Sequence, residues 1–585
     1  MLKIFKHLQK KEWLFILCSL VFIVTQVWLD LKLPDYMHEI TMLVQTEGSK
    51  MSEVMLQGAF MLFCAIGSMI AAMIVGFFAA KVAAGFSLRL RAMVFEKTMS
   101  FSMEEINSFS TASLITRSTN DITQIQLLIA MGLQAIVKAP ILAVWAIVKI
   151  MGKSWQWTAA TGIAVGILML MLTIIIFVAL PKFKIIQSLT DNLNRVTREN
   201  LSGIRVVHAY NAEKFQEVKF EEANTKLTNT NLFTSRTMAI MMPTMGLIMS
   251  GMSLAIYWIG AFLIQKAALP DKLTLFSDMV VFMSYAMQVI MAFMMLSIVF
   301  VMVPRASVSA KRIIEVIDTK AKIIDGKKTE GEKGLSGEVE FRNVSFKYPD
   351  AAEYILHNIS FTAHKGETVA FIGSTGSGKS TLVNLIPRFF DATEGEVLVD
   401  GVNVKEYTQE ALHEKCGYVS QKAVLFSGSV SSNVAYGESG KPNEAAVKKA
   451  IEIAQGTEFV EKMDGQYEAA IAQGGTNISG GQKQRLSIAR AVYRKPEIYI
   501  FDDSFSALDY KTDRVLRSVL KKETKDATSL IVAQRIGTIK DADRIIVLDN
   551  GKVVGNGTHE ELLKNCEVYQ EIAYSQLSKE ELQIG

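Results

Sequence analysis

Six separated stretches of this chain are each long and apolar enough to cross a lipid bilayer, and that limits its fold more than any other feature. They run over about 13–31, 55–80, 127–151, 155–180, 238–264 and 277–303 of the 585 residues. A hydrocarbon core of ~30 Å takes about 20 helical residues and offers no water to a lone backbone amide. Each stretch is therefore expected to be a helix. Half of the residues are hydrophobic, yet 21% are charged and mean hydropathy is only +0.25, too little for a membrane protein throughout. The expected organisation is a six-helix, all-α membrane domain over 1–320 followed by a soluble α/β domain over 321–585. A net charge of +4 gives no argument for a nucleic-acid partner. Cys18, Cys64, Cys416 and Cys566 are scattered without metal-ligand spacing and are expected to be free thiols.

The connections differ in charge and length. Those after the second and fourth stretches, 81–126 and 181–237, hold 14 Lys and Arg between them. The opposite side holds five: Lys32, Lys50, Lys153, Lys266 and Lys272. The positive-inside bias places the long connections, both termini and the soluble domain in the cytosol, with the chain multi-pass in the plasma membrane. Stretches three and four are joined by a tight turn near Gly152-Lys153. The segment from Asp191 onward lacks Pro and spaces its apolar residues at three and four, so the helices are expected to continue past the membrane. At ~1.5 Å per residue, about 20 residues reach ~30 Å into the cytosol.

In the soluble half, Val369-Ala370-Phe371-Ile372 reads as a strand and is followed by Gly373-Ser374-Thr375-Gly376-Ser377-Gly378-Lys379-Ser380-Thr381 and a helical run. That context, strand then G-x-x-x-x-G-K-S then helix, is the one a P-loop requires. Its glycines let backbone amides close around a β-phosphate. Lys379 neutralises the β- and γ-phosphates, Ser380 ligates Mg²⁺, and the following helix presents its positive end. Ile498-Tyr499-Ile500-Phe501-Asp502 is a buried strand ending in an acid, the Walker B arrangement that holds the metal's water shell. Then Ile478-Ser479-Gly480-Gly481-Gln482 opens a helix-forming run, offering a hydroxyl, bare amides and a helix dipole to a phosphate.

With these motifs the chain resembles the ATP-binding-cassette proteins, over essentially its whole length, and Ser479-Gly480-Gly481-Gln482 looks like their signature. The resemblance implies ATP and Mg²⁺ as cofactors, bound through Tyr348 (adenine stacking), the P-loop Gly373–Thr381, Gln421 of the Q-loop and Asp502, with Ser380, Gln421 and Asp502 on the metal. Ser506-Ala507-Leu508-Asp509 matches the D-loop. Six spans followed by a cassette on one chain resembles the exporter branch, whose coupling helices would lie near 103–115 and 206–214. In that family two cassettes sandwich two ATPs, each between one chain's P-loop and the other's signature, so a second, homologous half is implied.

Two catalytic positions depart from the pattern. Asp503 stands where the family has the glutamate base, pulling the carboxylate back by ~1.5 Å, and misplacement by ~1 Å can cost about 100-fold in rate. Gln534 stands where the family has a histidine, and a glutamine cannot become cationic. Ala472-Gln473-Gly474-Gly475 also lacks the acid usual before the signature. With Tyr348, the P-loop and the signature intact, the chain resembles the weaker half of heterodimeric multidrug exporters. It is expected to hold ATP, hydrolyse it poorly, and lend Ser479, Gly480, Gly481 and Gln482 to its partner's ATP. The rival readings are export of one defined lipid or peptide cargo, and a regulatory or gated-channel subunit.

The membrane half carries two further signals. Residues 238–303 hold 13 of the 29 methionines, and Met279, Met283, Met287, Met291 and Met295 recur every four residues. Such a stripe suits either packing or an adaptable lining for hydrophobic or amphipathic compounds. Lys138 and Lys149 interrupt the third stretch, and snorkelling to the nearest headgroups is the expected resolution. Apart from Asp278 at an edge, no acid is read inside the six cores.

Overall fold

The computed structural model describes residues 2–46, 48–151, 153–349, 351–438 and 440–577. The chain forms two compact units, Met1–Met99 with Ala112–Thr319, and Ser100–Thr111 with Lys320–Gly585.

In the first unit, among the described residues, six helices are long and apolar enough to cross a membrane. They contain α1 (Lys10–Gln45), α2 (Met51–Met99), α3 (Asn120–Met151), α4 (Trp155–Ser202), α5 (Met241–Lys266) and α6 (Leu269–Asp318). The fifth expected stretch straddles Ile240, where helix Glu213–Ala239 gives way to α5. Gly152, in the expected tight turn, lies outside the described residues. Helices α2, α4 and α6 have 49, 48 and 50 residues. At ~1.5 Å per residue each is more than twice as long as a ~30 Å hydrocarbon core is thick, so each runs well past it. Pro34, Pro140, Pro181 and Pro304 sit inside α1, α3, α4 and α6, as neighbouring helices permit in a bundle.

Lipid tails are as apolar as leucine, so these helices associate by close packing rather than by hydrophobic burial. Ala135, Ala139, Ala143 and Ala146 give α3 a buried small-residue face at helical spacing, and Ala286, Ala292, Ala306 and Ala310 are buried on its neighbour α6. Trp157 is buried against Phe282, and its indole N–H donates to the carbonyl of Ile256 at 3.2 Å, so a polar atom is satisfied inside the bundle. All four cysteines are free.

Two places expected to carry connecting tips are broken helices. Ser102 caps the short helix Met103–Phe109 with Glu105 in a reciprocal box, Ser110 takes a left-handed φ of 58°, and Thr111–Ser118 follows. Farther on, Ile204–Ala209 is followed by Asn211 at φ 52° before helix Glu213–Ala239 begins. The first tip belongs to the second unit, where the Glu105 carboxylate accepts the backbone N–H of Lys322 at 3.1 Å.

The second unit is built on β1 (Val339–Phe346), β2 (Leu356–Ala363), β3 (Thr368–Gly373), β4 (Glu394–Val399), β5 (Val402–Asn403), β6 (Cys416–Val419), β7 (Gly428–Ser429), β8 (Ala470–Ile471), β9 (Ile498–Asp502), β10 (Thr528–Val532), β11 (Arg544–Asp549) and β12 (Lys552–Gly557). A four-stranded sheet runs β2-β1-β4-β5, β7 pairs with β8, and a six-stranded sheet runs β12-β11-β3-β10-β9-β6. In the large sheet β11, β3, β10, β9 and β6 are parallel. Strands β9 and β10 are buried along their whole length, and residues 498–501 and 530–532 supply the apolar runs that central parallel strands carry. Their register aligns Val532 with both Phe371 and Asp502, and Val419 with Phe501. The carboxyl ends of four strands therefore finish level, where open α/β sheets place their sites.

Candidate functional site

Four of those strand ends lead into the sequence-predicted residues. After β3 the chain turns through Gly373–Gly378 into α7 (Lys379–Asn384). Two glycines are required there. A Cβ on Gly373 would sit 1.9 Å from the carbonyl of Leu548, and Gly378 takes φ 93° with Leu356 2.7 Å from where a Cβ would be. Ser374, Thr375 and Gly376 form an exposed crest. Lys379 is buried, and its ammonium donates to the carbonyls of Gly373 at 2.9 Å and Ser374 at 2.7 Å. Burial pushes its pKa down, against the pull of the Asp503 and Asp502 carboxylates. Ser380 Oγ donates to Asp502 Oδ1 at 2.7 Å, so the P-loop hydroxyl and the end of β9 meet. Thr381 lies 3.1 Å from the hydroxyl of Tyr348, whose ring is held edge-on by Phe346 and Phe390.

A second cluster forms around Asp503, which turns the chain at a left-handed φ of 49° and ties its N–H to the carbonyl of Val532 at 3.0 Å. Its Oδ2 accepts two amide donors, Gln421 Nε2 at 3.3 Å from beyond β6 and Gln534 Nε2 at 3.0 Å from beyond β10. Burial raises the pKa of Asp503, with the Gln421 bond and the Lys379 charge opposing it. Asp502 is likewise raised by burial, against the Ser380 bond. The structure thus joins Gln421, Asp503 and Gln534, which no sequence spacing relates.

The Ser479-Gly480-Gly481-Gln482 turn is built differently. Ser479 caps α8 (Gly480–Arg494), accepting from the N–H of Gln482, while Gln482 Oε1 returns to the N–H of Ser479 at 2.9 Å. Ser479 and Gly480 are exposed, and nothing lies within 4 Å of where a Gly480 Cβ would be. A Cβ on Gly481 would come within 3.2 Å of the carbonyl of Ala507, so the D-loop crosses there. Asp509 caps α9 (Tyr510–Glu523) by accepting from Thr512. One contributor escaped the sequence reading: Gln484, buried on α8, donates to the carbonyl of Ser420 at 3.3 Å and ties the signature helix to the Q-loop. Its signal is a polar residue on the helix's buried face.

In the membrane unit both lysines of the third stretch meet acidic side chains. Lys138 Nζ lies 3.1 Å from Asp30 Oδ2 on α1, and Lys149 Nζ lies 2.7 Å from Asp35 Oδ2. Asp30 also accepts from Ser68 on α2, and its backbone carbonyl from Gln288 on α6 at 3.3 Å. Asp30 falls within the first apolar stretch itself, so the reading that only Asp278 came near is corrected by the sequence as well as by the structure, and each lysine has a countercharge beside it. The methionine stripe divides: Met279 is buried, Met283, Met287 and Met295 are half-buried, and Met291 is exposed. A step of four residues turns a helix by about 40° beyond a full circle, so the stripe winds off one face. An apolar cavity of about 370 Å³ lies among α4, the Met238–Met241 junction and α6, lined by Leu172, Ile175, Phe183, Met238, Met241 and Met302.

A P-loop hydroxyl against a Walker B acid, a serine-capped Gly-Gly turn and six spanning helices on one chain define a membrane transport ATPase. Residues 14–293 match the model of the ABC transporter transmembrane region, and 356–506 match the ABC transporter model. An uncharacterized ABC transporter ATP-binding protein of Mycobacterium tuberculosis is 42% identical over 88% of this chain and 86% of its own. Another, of Bacillus subtilis, is 35% identical over 90% of each. An ATP-dependent lipid A-core flippase of Pseudomonas aeruginosa is 31% identical over 83% of this chain and 79% of its own. In fold, the chain is similar to a bacterial Atm1-family ABC exporter solved with ATP bound, with a TM-score of 0.79 and 23% identity over 96% of this chain and 98% of that one. The chain belongs to the ABC transporter family. It is an ABC exporter half, a multi-pass membrane protein whose cassette binds ATP and couples its hydrolysis to transport.

Proposed function

We propose that this chain is the catalytically weaker half of a heterodimeric exporter of hydrophobic or amphipathic compounds, with its termini and cassette in the cytosol beneath the plasma membrane. What carries the reading is the corner at Asp503, where a carboxylate one methylene short is held by two neutral amides, Gln421 and Gln534. A glutamate base and a histidine are the family's equipment at those positions. The P-loop, by contrast, has its glycines, Lys379 and Ser380 in place. ATP would lie with its phosphates on Gly373–Thr381 and its adenine on Tyr348. The donors fit Mg²⁺, a hard cation that takes oxygen ligands: Ser380 Oγ and an Asp502 carboxylate oxygen are already together, and Gln421 Oε1 is not used in the bond to Asp503. The chemistry a bound Mg²⁺ supplies there is neutralisation of phosphate charge.

In this reading Asp503 positions water poorly, Gln534 donates without adding charge, and the exposed, capped Ser479 turn completes the partner's ATP site. ATP-driven closure of the two cassettes passes through the helix tips near 103–115 and 206–214 to the membrane half, and hydrolysis at the partner's site resets it. The test is to trap nucleotide in working membranes and ask which chain holds it unhydrolysed. The reading requires ATP at the site of Ser380 and ADP at the partner's; ADP turning over equally at both overturns it.

A second reading of the cargo, a lipid, is favoured by the relatives named as lipid A-core flippases. Competition separates the two, because unrelated hydrophobic compounds inhibit one another's transport only in a multidrug exporter.

A further inference from the structure

The segment that carries Gln534 is not held by its own loop alone. Gln576, the last residue of α10 (Glu567–Gln576), places its side-chain amide across that segment. Its Oε1 accepts the backbone N–H of Ile536 at 2.8 Å, and its Nε2 donates to the backbone carbonyl of Gln534 at 2.8 Å. One amide thus brackets Arg535 and fixes the residue whose own side chain reaches Asp503 at 3.0 Å. Helix α10 is anchored well enough to serve as a clamp. Tyr569 and Ala573 are fully buried in the cassette core, and Gln576 follows them at i+7 and i+3 on the same helical face. The Tyr569 hydroxyl lies 2.6 Å from His559 Nδ1, and Gln570 Nε2 donates to the carbonyl of Leu563 at 2.8 Å, tying α10 to the helix before it.

We infer that Gln576 is a positioning residue for this chain's ATP site: the C-terminal helix sets the switch segment so that Gln534 meets Asp503. The inference rests on the reading of Asp503 and Gln534 given above. The amide is suited to the task because it must donate on one side and accept on the other. Glutamate keeps the size and the bond to Ile536 but cannot donate to the Gln534 carbonyl.

The experiment uses membranes containing the full-length transporter and Mg²⁺ with a photoactivatable, radiolabelled ATP, and measures its release from this chain. Gln576→Ala and Gln576→Glu are each expected to speed release by a factor of about 5–30, as befits the loss of one or two modest hydrogen bonds. Added to Gln534→Ala, neither is expected to speed it further, because both act through one contact. Unchanged release in either Gln576 variant overturns the inference, and so does an acceleration that persists in the Gln534→Ala background, since that marks a general packing role. If Gln576→Ala fails to assemble, Gln576→Glu decides by the same two criteria. If the unmodified chain hydrolyses at its own site as fast as a consensus site, the weak-site reading falls alone. The coupling of Gln576 to Gln534 is then measured in that hydrolysis rate, with the same outcomes supporting or overturning it.

Discussion

The turn from Gly373 to Ser380 and the corner at Asp503 lie on one sheet edge but are made of different material. In the turn, backbone does most of the work: glycines at close approaches, carbonyls that hold Lys379, and one short contact from Ser380 to Asp502. At the corner everything depends on the reach of three side chains that converge from strands β6, β9 and β10. Away from its required glycines, a cradle built of backbone tolerates side-chain changes, whereas a side-chain constellation is undone by one methylene. A chain can therefore keep nucleotide binding while losing hydrolysis, which is the combination proposed here.

Rebuilding the corner should have the largest effect. Asp503→Glu with Gln534→His is expected to raise hydrolysis at this chain's own site by up to about 100-fold, since that is the scale of a ~1 Å misplacement. Single-turnover hydrolysis of ATP bound to this chain measures it, and no gain means the corner is not what limits the site. Damage to the turn works in the opposite sense. Lys379→Ala should weaken nucleotide retention at this site by about 10- to 100-fold, the worth of one or two charge-assisted hydrogen bonds, with photolabelling of this chain as the readout.

How much of this was legible follows the same division. The P-loop, Walker B strand and signature are contiguous, so their residue types and order announced both the fold and the ligand. The corner's residues were named only through the family resemblance, and their convergence on Asp503 was not legible, because Gln421 and Gln534 lie 82 and 31 residues from it and only parallel strand register brings them level. Gln576, 42 residues beyond Gln534, carries no motif at all. The six spans could be read because length and hydropathy are properties of one helix. The pairing of Lys138 with Asp30 could not, because it is a property of two.

The membrane half extends the contrast between contacts that one substitution unbalances and contacts that tolerate it. Lys138→Met leaves the half-buried Asp30 without its cation, and because removing one partner of such a pair costs more than replacing both, thermal stability should fall. Adding Asp30→Asn should restore much of the loss; a double variant less stable than the single one contradicts the pairing. The smallest effect is expected for Met287→Ala. If the half-buried part of the stripe borders the transport path, it changes the ranking of transported compounds by a few-fold while expression holds. Reduced expression with an unchanged ranking assigns the stripe to packing.

In the proposed transporter the productive ATP is completed by this chain's signature and not by its corner. The direct measurement compares steady-state ATPase activity of the assembled transporter carrying Ser479→Trp with that carrying Asp503→Asn. Ser479 is an exposed helix cap, so a large side chain there obstructs what docks on it without entering the core of this cassette. The account predicts that Ser479→Trp abolishes most activity and Asp503→Asn leaves most of it. Equal silencing by both, as two equivalent sites in a homodimer would give, contradicts it.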